Sequence, residues 1–268
     1  MQISIYLAPG LTVYCCLLAL VLGLCMGSFL NCMAWRIVHG ESVLRGRSHC
    51  DVCGHVLTGA DLVPVVSFLW HKGRCRWCGA KLSKEHLLAE IWTGLTYVLL
   101  LLKYDISLQG LEWAIFASLL LACSFADLEG YMIPDRFVLA GIAVRLAFFF
   151  VLHEDWAEAL DSLLGGFAVG GGLLALVLLY ERARKVDAMG GGDLKLLFVT
   201  GLYLGWKRNL LCLLFACVFG IVFALATRGR RQNQEDEKIF PWGPSICAAA
   251  IFAALIGNEV IAAYLGLF

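Results

Sequence analysis

Eight apolar segments, each close to the length needed to cross a lipid bilayer, dominate this sequence of 268 residues. A helix needs about 20 apolar residues for that crossing. Lipid offers the backbone no hydrogen-bond partners and the segments lack the alternation of a barrel strand, so they must be helices. We therefore predict an all-α, polytopic membrane helix bundle with about eight transmembrane helices, over residues 11–35, 87–102, 111–126, 136–152, 160–180, 194–206, 209–227 and 244–267.

The balance of charge supports a membrane protein and excludes some partners. Hydrophobic residues make up 60% of the chain and charged residues 16%, and the formal net charge is zero. A neutral chain has no electrostatic reason to bind nucleic acid, so the lipid bilayer is the expected partner. The first apolar segment follows a stretch without basic residues or a clear cleavage site, which indicates a retained span rather than a signal peptide.

The distribution of Lys and Arg predicts the orientation of the chain. If the long loop after the first span is cytoplasmic, three later loops lie on the same side, and by the positive-inside rule both termini lie outside. That side then collects sixteen of the 21 basic residues: Arg45, Arg47, Lys72, Arg74, Arg76, Lys81, Lys84, Arg136, Arg182, Arg184, Lys185, Lys195, Arg228, Arg230, Arg231 and Lys238.

A polar, basic insert at residues 39–86 interrupts the apolar pattern after the first span. It is too small to bury much hydrophobic core, and in a reducing cytosol it is more readily stabilised by a metal ion than by disulfides. It contains two CxxC pairs, each followed by glycine, formed by Cys50, Cys53, Cys75 and Cys78. Two such knuckles can place four thiolates around one structural Zn²⁺. Unrelated cysteines and a redox pair are the alternatives.

Two aspartates stand at the margins of predicted spans, where a charge is costly and calls for a function or a partner. Asp127 ends one apolar segment, and Asp193 follows a run of glycines before another. The predicted orientation places both at the cytoplasmic side. Held close together, two carboxyl groups share one proton and can act as base and acid in peptide hydrolysis. Alternatively, Asp193 caps its helix and Asp127 pairs with a cation such as Arg136.

Residues near the two aspartates have supporting or competing roles. Gly190 and Gly192 allow close approach of a substrate or helix backbone and should keep access to Asp193 open. Lys195 either anchors at the membrane interface or orients a carboxylate or substrate. Among the neighbouring acids, Asp135 is expected to cap a helix. Glu129 and Asp187 are expected to be solvated loop charges.

Six segments in this order resemble the type IV prepilin peptidases, the leader peptidase/N-methyltransferases that are GxGD membrane aspartic proteases. They are "GSFLNCMAWRI", the pair "CDVCG" and "CRWCG", "HLLAEIWTG", "DLEGYMIPD", "GGGDLK" and "FPWGPSI". The resemblance implies catalytic Asp127 and Asp193. It also implies the domain order 1–38 for the first transmembrane helix, 39–86 for the zinc module and 87–268 for the protease bundle.

The resemblance further implies a bifunctional enzyme of the bacterial inner membrane. Such enzymes remove the leader of type IV prepilins or of pseudopilins of type II secretion, and many then methylate the new N-terminal amine with S-adenosylmethionine. Pilus or secretion assembly proteins are further expected partners. The segment "ADLVP" between the knuckles departs from the family pattern. Two other classes stay open from the residues alone: an ion or proton transporter using membrane aspartates, and a non-enzymatic zinc-bearing assembly factor.

Overall fold

The computed structural model describes residues 4–43, 45–50, 52–185, 189–231 and 240–266, with the side chains of 228–231 left aside. Helices make up nearly all of the ordered structure in these ranges. They are a 3₁₀ turn Ile5–Leu7, α1 Pro9–Val38, α2 Val66–Trp70, α3 Lys84–Tyr104, α4 Leu108–Gly130, α5 Asp135–Leu152, α6 Trp156–Leu164, a π-helix Gly165–Gly171, α7 Gly172–Arg184, α8 Gly191–Arg231 and α9 Gly243–Leu265.

The all-α membrane fold predicted from the sequence is confirmed. Among the described helices, six stretches are long and apolar enough to cross a membrane: α1, α3, α4, the run from α6 through α7, α8 and α9. Two features account for the difference from about eight predicted spans. Helix α5 carries three charged residues within its 18 positions. Helix α8, at 41 residues, holds two predicted spans.

Helix α8 is divided at Gly205, where the backbone leaves helical geometry with φ 71° and ψ 174°. Asn209 Nδ2 donates to the Leu197 carbonyl at 3.1 Å. In a straight helix these residues would stand about 18 Å apart along the axis. The chain therefore turns back at Gly205, a conformation that a residue with a Cβ rarely adopts. The predicted boundary between spans 194–206 and 209–227 falls at this turn.

The chain forms two compact units, of which the first is Met1–Ala114. Here α1 and α3 pack directly together through small residues. A Cβ built on Gly23 would stand 2.7 Å from Gly94 Cα, so the two backbones are nearly in contact. Ser83 caps α3 by accepting a hydrogen bond from the Glu85 amide at 3.2 Å. The residues between α1 and α3 carry the cysteine knuckles.

The second unit, Ile115–Phe268, is organised around α8. Helices α5, α6 and α9 and the π-helix all pack against it. Gly165 and Gly201 meet backbone to backbone, which explains the glycines of the π-helix. Leu179, Leu214 and Leu225 are each more than half exposed, as expected of side chains that face lipid.

Candidate active site and metal centre

Asp127 lies in the last turn of α4, in the second unit. The helix ends at Gly130, Tyr131 adopts a positive φ of 51°, and Pro134 precedes the first residue of α5. Proline cannot continue a helix that would need its N–H, so the chain must turn between α4 and α5. The turn leaves Asp127 only 5% exposed, inside the helix bundle rather than in the loop.

The Asp127 carboxylate is held by the start of α9. Its Oδ2 atom accepts a hydrogen bond of 2.8 Å from the backbone N–H of Gly243, and the contact is buried. A Cβ on Gly243 would stand 2.8 Å from that oxygen, so any larger residue here would push the carboxyl group away. Arg136, the alternative partner suggested by the sequence, is exposed, and none of the described contacts pairs it with Asp127.

Asp193 lies in the first turn of α8 as its third residue. Its backbone N–H donates to the Gly190 carbonyl at 3.2 Å, which puts Gly190 in the capping position. Within the described residues the Asp193 side chain makes no hydrogen bond, so the predicted alternative of a side-chain cap is not observed. The side chain is half-buried and remains accessible.

The two acidic segments are close in space. The charge of Asp127 acts on Asp193, so the two carboxyl groups lie within electrostatic range. Ile133, in the turn that follows Asp127, packs on Gly192 just before Asp193, and a Cβ on Gly192 would stand 3.1 Å from Ile133 Cβ. One on Gly190 would stand 3.4 Å from Asp193 Oδ2. Both glycines thus border the approach to Asp193.

Lys195 pairs with Asp135 at 2.6 Å between Nζ and Oδ1. The side chains are 51% and 65% exposed, so the pair is a surface contact between the starts of α8 and α5. Asp135 is the first residue of α5 and makes no side-chain cap, which corrects the expectation of a capping role. Glu129 is exposed, as predicted, and Asp187 lies outside the described residues.

The four cysteines of the first unit form one group. The sulfurs of Cys50, Cys53, Cys75 and Cys78 all lie within 4.8 Å of one another. Cys50 and Cys78 Sγ are 3.9 Å apart. Tetrahedral zinc with bonds of about 2.3 Å requires sulfurs about 3.8 Å apart. The group can therefore hold a metal ion.

The two knuckles fold in the same way, which explains how they converge. In each one the backbone carbonyl of the first cysteine accepts a hydrogen bond from the glycine after the second cysteine, at 2.8 Å for Gly54 and 2.9 Å for Gly79. Both glycines have positive φ, 67° and 72°. Two single antiparallel bridges close the knuckles.

The backbone around Cys75 favours a thiolate ligand. The N–H of Cys78 and then that of Trp77 donate hydrogen bonds to the sulfur and lower the pKa of Cys75 to about 7. A metal binds the deprotonated thiolate, so these donors suit a metal ligand. The His55 ring packs on the Trp77 ring at a tilt of 36° with ring centroids 3.9 Å apart, which links the two knuckles without adding a ligand.

Sequence reasoning missed Gly243. The segment "FPWGPSI" contributed to the family resemblance but was given no role. A Gly-Pro pair at the start of an apolar helix indicates a free N-terminal donor with room beside it. Its acceptor is 116 residues away, so no local pattern could have named it.

The fold and the two sites define a class: an all-α, multi-pass membrane protein with two aspartates within electrostatic range of each other in one unit and a four-cysteine group that can hold a metal ion in the other. Family models match both parts of the chain. The Bacterial Peptidase A24 N-terminal domain matches residues 21–104, and the Type IV leader peptidase family matches residues 114–225.

Relatives match most of the chain. A prepilin leader peptidase/N-methyltransferase of Myxococcus xanthus is 35% identical over 81% of this chain and 66% of its own length. One of Bacillus subtilis is 30% identical over 91% of this chain and 96% of its own length. One of Pseudomonas putida is 29% identical, with shares of 91% and 92%. No solved structure matches. The chain therefore belongs to the type IV leader peptidase family, which confirms the resemblance.

Proposed function

We propose that this enzyme is an aspartic endopeptidase that cleaves the leader peptide of type IV prepilins or pseudopilins at the cytoplasmic membrane face. The observation that carries the proposal is that Asp127 and Asp193 lie within electrostatic range of each other in one unit of a leader peptidase family member. The relatives' name, prepilin leader peptidase/N-methyltransferase, supports the substrate class.

The aspartates act as a pair in this proposal. One carboxylate takes a proton from a water molecule, and the other carboxyl group protonates the scissile carbonyl oxygen. Asp127 is buried and Asp193 is half-buried, so in this proposal water reaches the pair from the side of Asp193. Gly190 and Gly192 keep that approach open, and Lys195 holds the start of α8 near the start of α5.

The proposal includes methylation of the new N-terminal amine. It rests on the relatives' name and on the presence of the four-cysteine group, which the resemblance associates with methylating members. S-adenosylmethionine would supply an electrophilic methyl group to that amine.

We further propose that the metal is one structural zinc ion per chain. Four cysteine sulfurs at tetrahedral spacing favour Zn²⁺ over harder cations, which prefer oxygen ligands. All four positions are filled by protein, so the site leaves no place for a catalytic water. The domain order proposed from the sequence, 1–38, 39–86 and 87–268, places this module between the first span and the protease bundle.

The proposed location is the bacterial inner membrane. The excess of Lys and Arg in one set of loops supports a cytoplasmic zinc module and active site, with both termini outside. Pilus or secretion assembly proteins are proposed partners at the cytoplasmic face.

A reconstituted assay tests the proposal. The purified protein in lipid nanodiscs is mixed with a prepilin, with and without S-adenosylmethionine, and the mature N-terminus is measured by mass spectrometry. We expect Asp127→Asn and Asp193→Asn each to abolish cleavage, while Glu129→Gln, an exposed acid in the same segment, cleaves normally. Cleavage by either asparagine variant would refute the catalytic pair. A transporter or an assembly factor would give no cleavage with the unmodified protein.

A further inference from the structure

The first N–H group of α9 makes a contact that the proposed function does not use. The first N–H groups of a helix have no partner within the helix. Trp242 precedes α9 and provides no side-chain cap. The Gly243 N–H instead donates to Asp127 Oδ2 at 2.8 Å in a buried contact. The carboxylate of α4 and the free donor of α9 therefore satisfy each other.

The two aspartates stand in unequal surroundings. Asp127 accepts a buried hydrogen bond, whereas Asp193 makes none with the described residues and has only its place in the first turn of α8. A hydrogen bond to a charged group favours the charged form by a factor of about 10 to 150. A first-turn position favours a carboxylate by a factor of about 2 to 5. Burial opposes the charged form of both carboxyl groups. The hydrogen bond is the larger of the two effects that favour a charge, so we place the negative charge of the pair on Asp127.

We infer that the backbone N–H of Gly243 belongs to the catalytic centre and assigns the roles of the two aspartates, making Asp127 the base and Asp193 the acid. The inference rests on the proposed function, because it gives each member of the proposed pair its task. The N–H occupies Oδ2 of Asp127 and leaves Oδ1 for a water molecule.

The assignment gives a balanced reaction. The Oδ1 atom of Asp127 takes a proton from water as the water oxygen bonds to the scissile carbonyl carbon, and Asp193 gives its proton to the carbonyl oxygen. The product of this step is a neutral gem-diol, with Asp127 protonated and Asp193 ionised. Asp127 then protonates the leaving nitrogen, Asp193 takes a hydroxyl proton from the gem-diol, and the C–N bond breaks. The pair returns to its first state.

No other titratable group near Asp127 in the described residues replaces Asp193 as its partner. Besides Asp193 on α8, the groups that act on Asp127 or feel its charge are the thiols of Cys123 on α4 and Cys247 on α9. Cys247 donates to the Leu120 carbonyl at 2.9 Å. Within the described part of the chain, no cationic side chain pairs with Asp127.

Replacing the Trp242–Gly243 amide with an ester tests the inference. Glycolic acid at position 243, introduced into the full chain by nonsense suppression, removes the N–H without adding an atom to the crowded contact. This donor has no partner within α9. The ester also makes the Trp242 carbonyl a weaker acceptor for the Ser245 and Ile246 N–H groups, so the control must weaken the same hydrogen bonds. The matched control is an ester at Ile246, whose N–H donates to the Trp242 carbonyl at 3.1 Å. That ester weakens the same helix end without touching Asp127.

We expect the ester at Gly243 to lower kcat by about 10- to 100-fold, the range of a hydrogen bond to a charged group, with KM unchanged. The acidic limb of the pH profile should be displaced as well. The Ile246 ester should leave the limb in place and kcat close to that of the unmodified protein, because the neutral hydrogen bond that it removes does not reach Asp127. An ester at Gly243 with the kcat and pH profile of the unmodified protein, or an equal effect at Ile246, overturns the inference. Cleavage by Asp127→Asn instead overturns the proposed function itself.

Discussion

Adding a single methyl group at Gly243 should disable the enzyme while the protein still folds. Placed at ideal geometry on the backbone, the Cβ of Gly243→Ala meets Asp127 Oδ2 at 2.8 Å and both Cβ and Cγ of Asp127 at 3.1 Å. Carbon contacts are comfortable at about 3.5 to 4.0 Å. The carboxyl group must therefore retreat by roughly 0.5 to 1 Å. The backbone at Gly243 has no positive φ, so alanine brings no conformational strain of its own.

The expected loss of cleavage rate follows from that displacement of the carboxyl group. A misplacement of about 1 Å at a reacting group can cost about 100-fold in rate. Overpacking at a buried site costs about 1 to 3 kcal/mol of folding stability. We therefore expect leader cleavage to fall about 100-fold while the protein still accumulates in the membrane. The assay is the initial rate of prepilin cleavage in nanodiscs, together with thermal unfolding of the same preparation.

Gly257→Ala is the matched control on the same helix. Its Cβ would meet Arg208 Cγ at 3.4 Å, Arg208 Cδ at 3.5 Å and Ala253 Cβ at 3.7 Å, which are ordinary contacts. This variant should cleave at close to the rate of the unmodified protein. A Gly243→Ala enzyme of normal rate would refute the tight contact between α9 and Asp127, and equal losses in both variants would point to a general effect on α9.

Three further outcomes follow from the structure. Replacing Cys50 and Cys75 with serine should remove about one zinc ion per chain, because two of the four thiolates are lost. The zinc content of the purified protein is measured by elemental mass spectrometry. Gly205→Ala should lower the thermal unfolding temperature and membrane accumulation, because strained backbone costs about 1 to 3 kcal/mol and the added Cβ also overlaps a side chain of α6. Lys195→Met should lower the free energy of unfolding by at most about 1 kcal/mol, because the ion pair with Asp135 is exposed. At high salt, Lys195→Met and Asp135→Asn should have the same free energy of unfolding.

Each of these outcomes has its own control. Cys25→Ser replaces an exposed cysteine of α1 outside the group and should retain the zinc. Gly172→Ala adds a Cβ where no atom lies within 4 Å and should unfold normally. Zinc retained after the double serine change, or a normally stable Gly205→Ala, would contradict the corresponding assignment. A Lys195→Met variant that folds normally but loses cleavage would show that Lys195 acts on the substrate or the aspartates.

The sequence predicted the fold class well because membrane insertion leaves few choices. A run of about 20 apolar residues without water to satisfy its backbone must be helical. The same reasoning separated the two segments of α8, although their boundary at Gly205 required the backbone turn to be seen. The cysteine group was also predictable, because two CxxC-Gly knuckles are local turns whose convergence needs only one metal ion.

The roles of single side chains were harder to predict. Two alternatives stood for each aspartate, and local pattern could not choose between them. In the structure the Asp193 side chain does not cap its helix, and Asp127 binds Gly243 rather than an arginine. Lys195 pairs with Asp135. These partners come from other helices, so they depend on how the helices pack.

The sequence by itself therefore determined that the chain crosses the membrane repeatedly as helices and carries four cysteines spaced to hold a metal ion. Those properties follow from residue type and short spacing. Only the tertiary structure decided that the first amide of α9 reaches Asp127, and that Asp127 is buried and hydrogen-bonded where Asp193 is open. The physical reason is that this hydrogen bond joins residues 116 positions apart, and only the packing of α4 and α9 brings its donor and acceptor together.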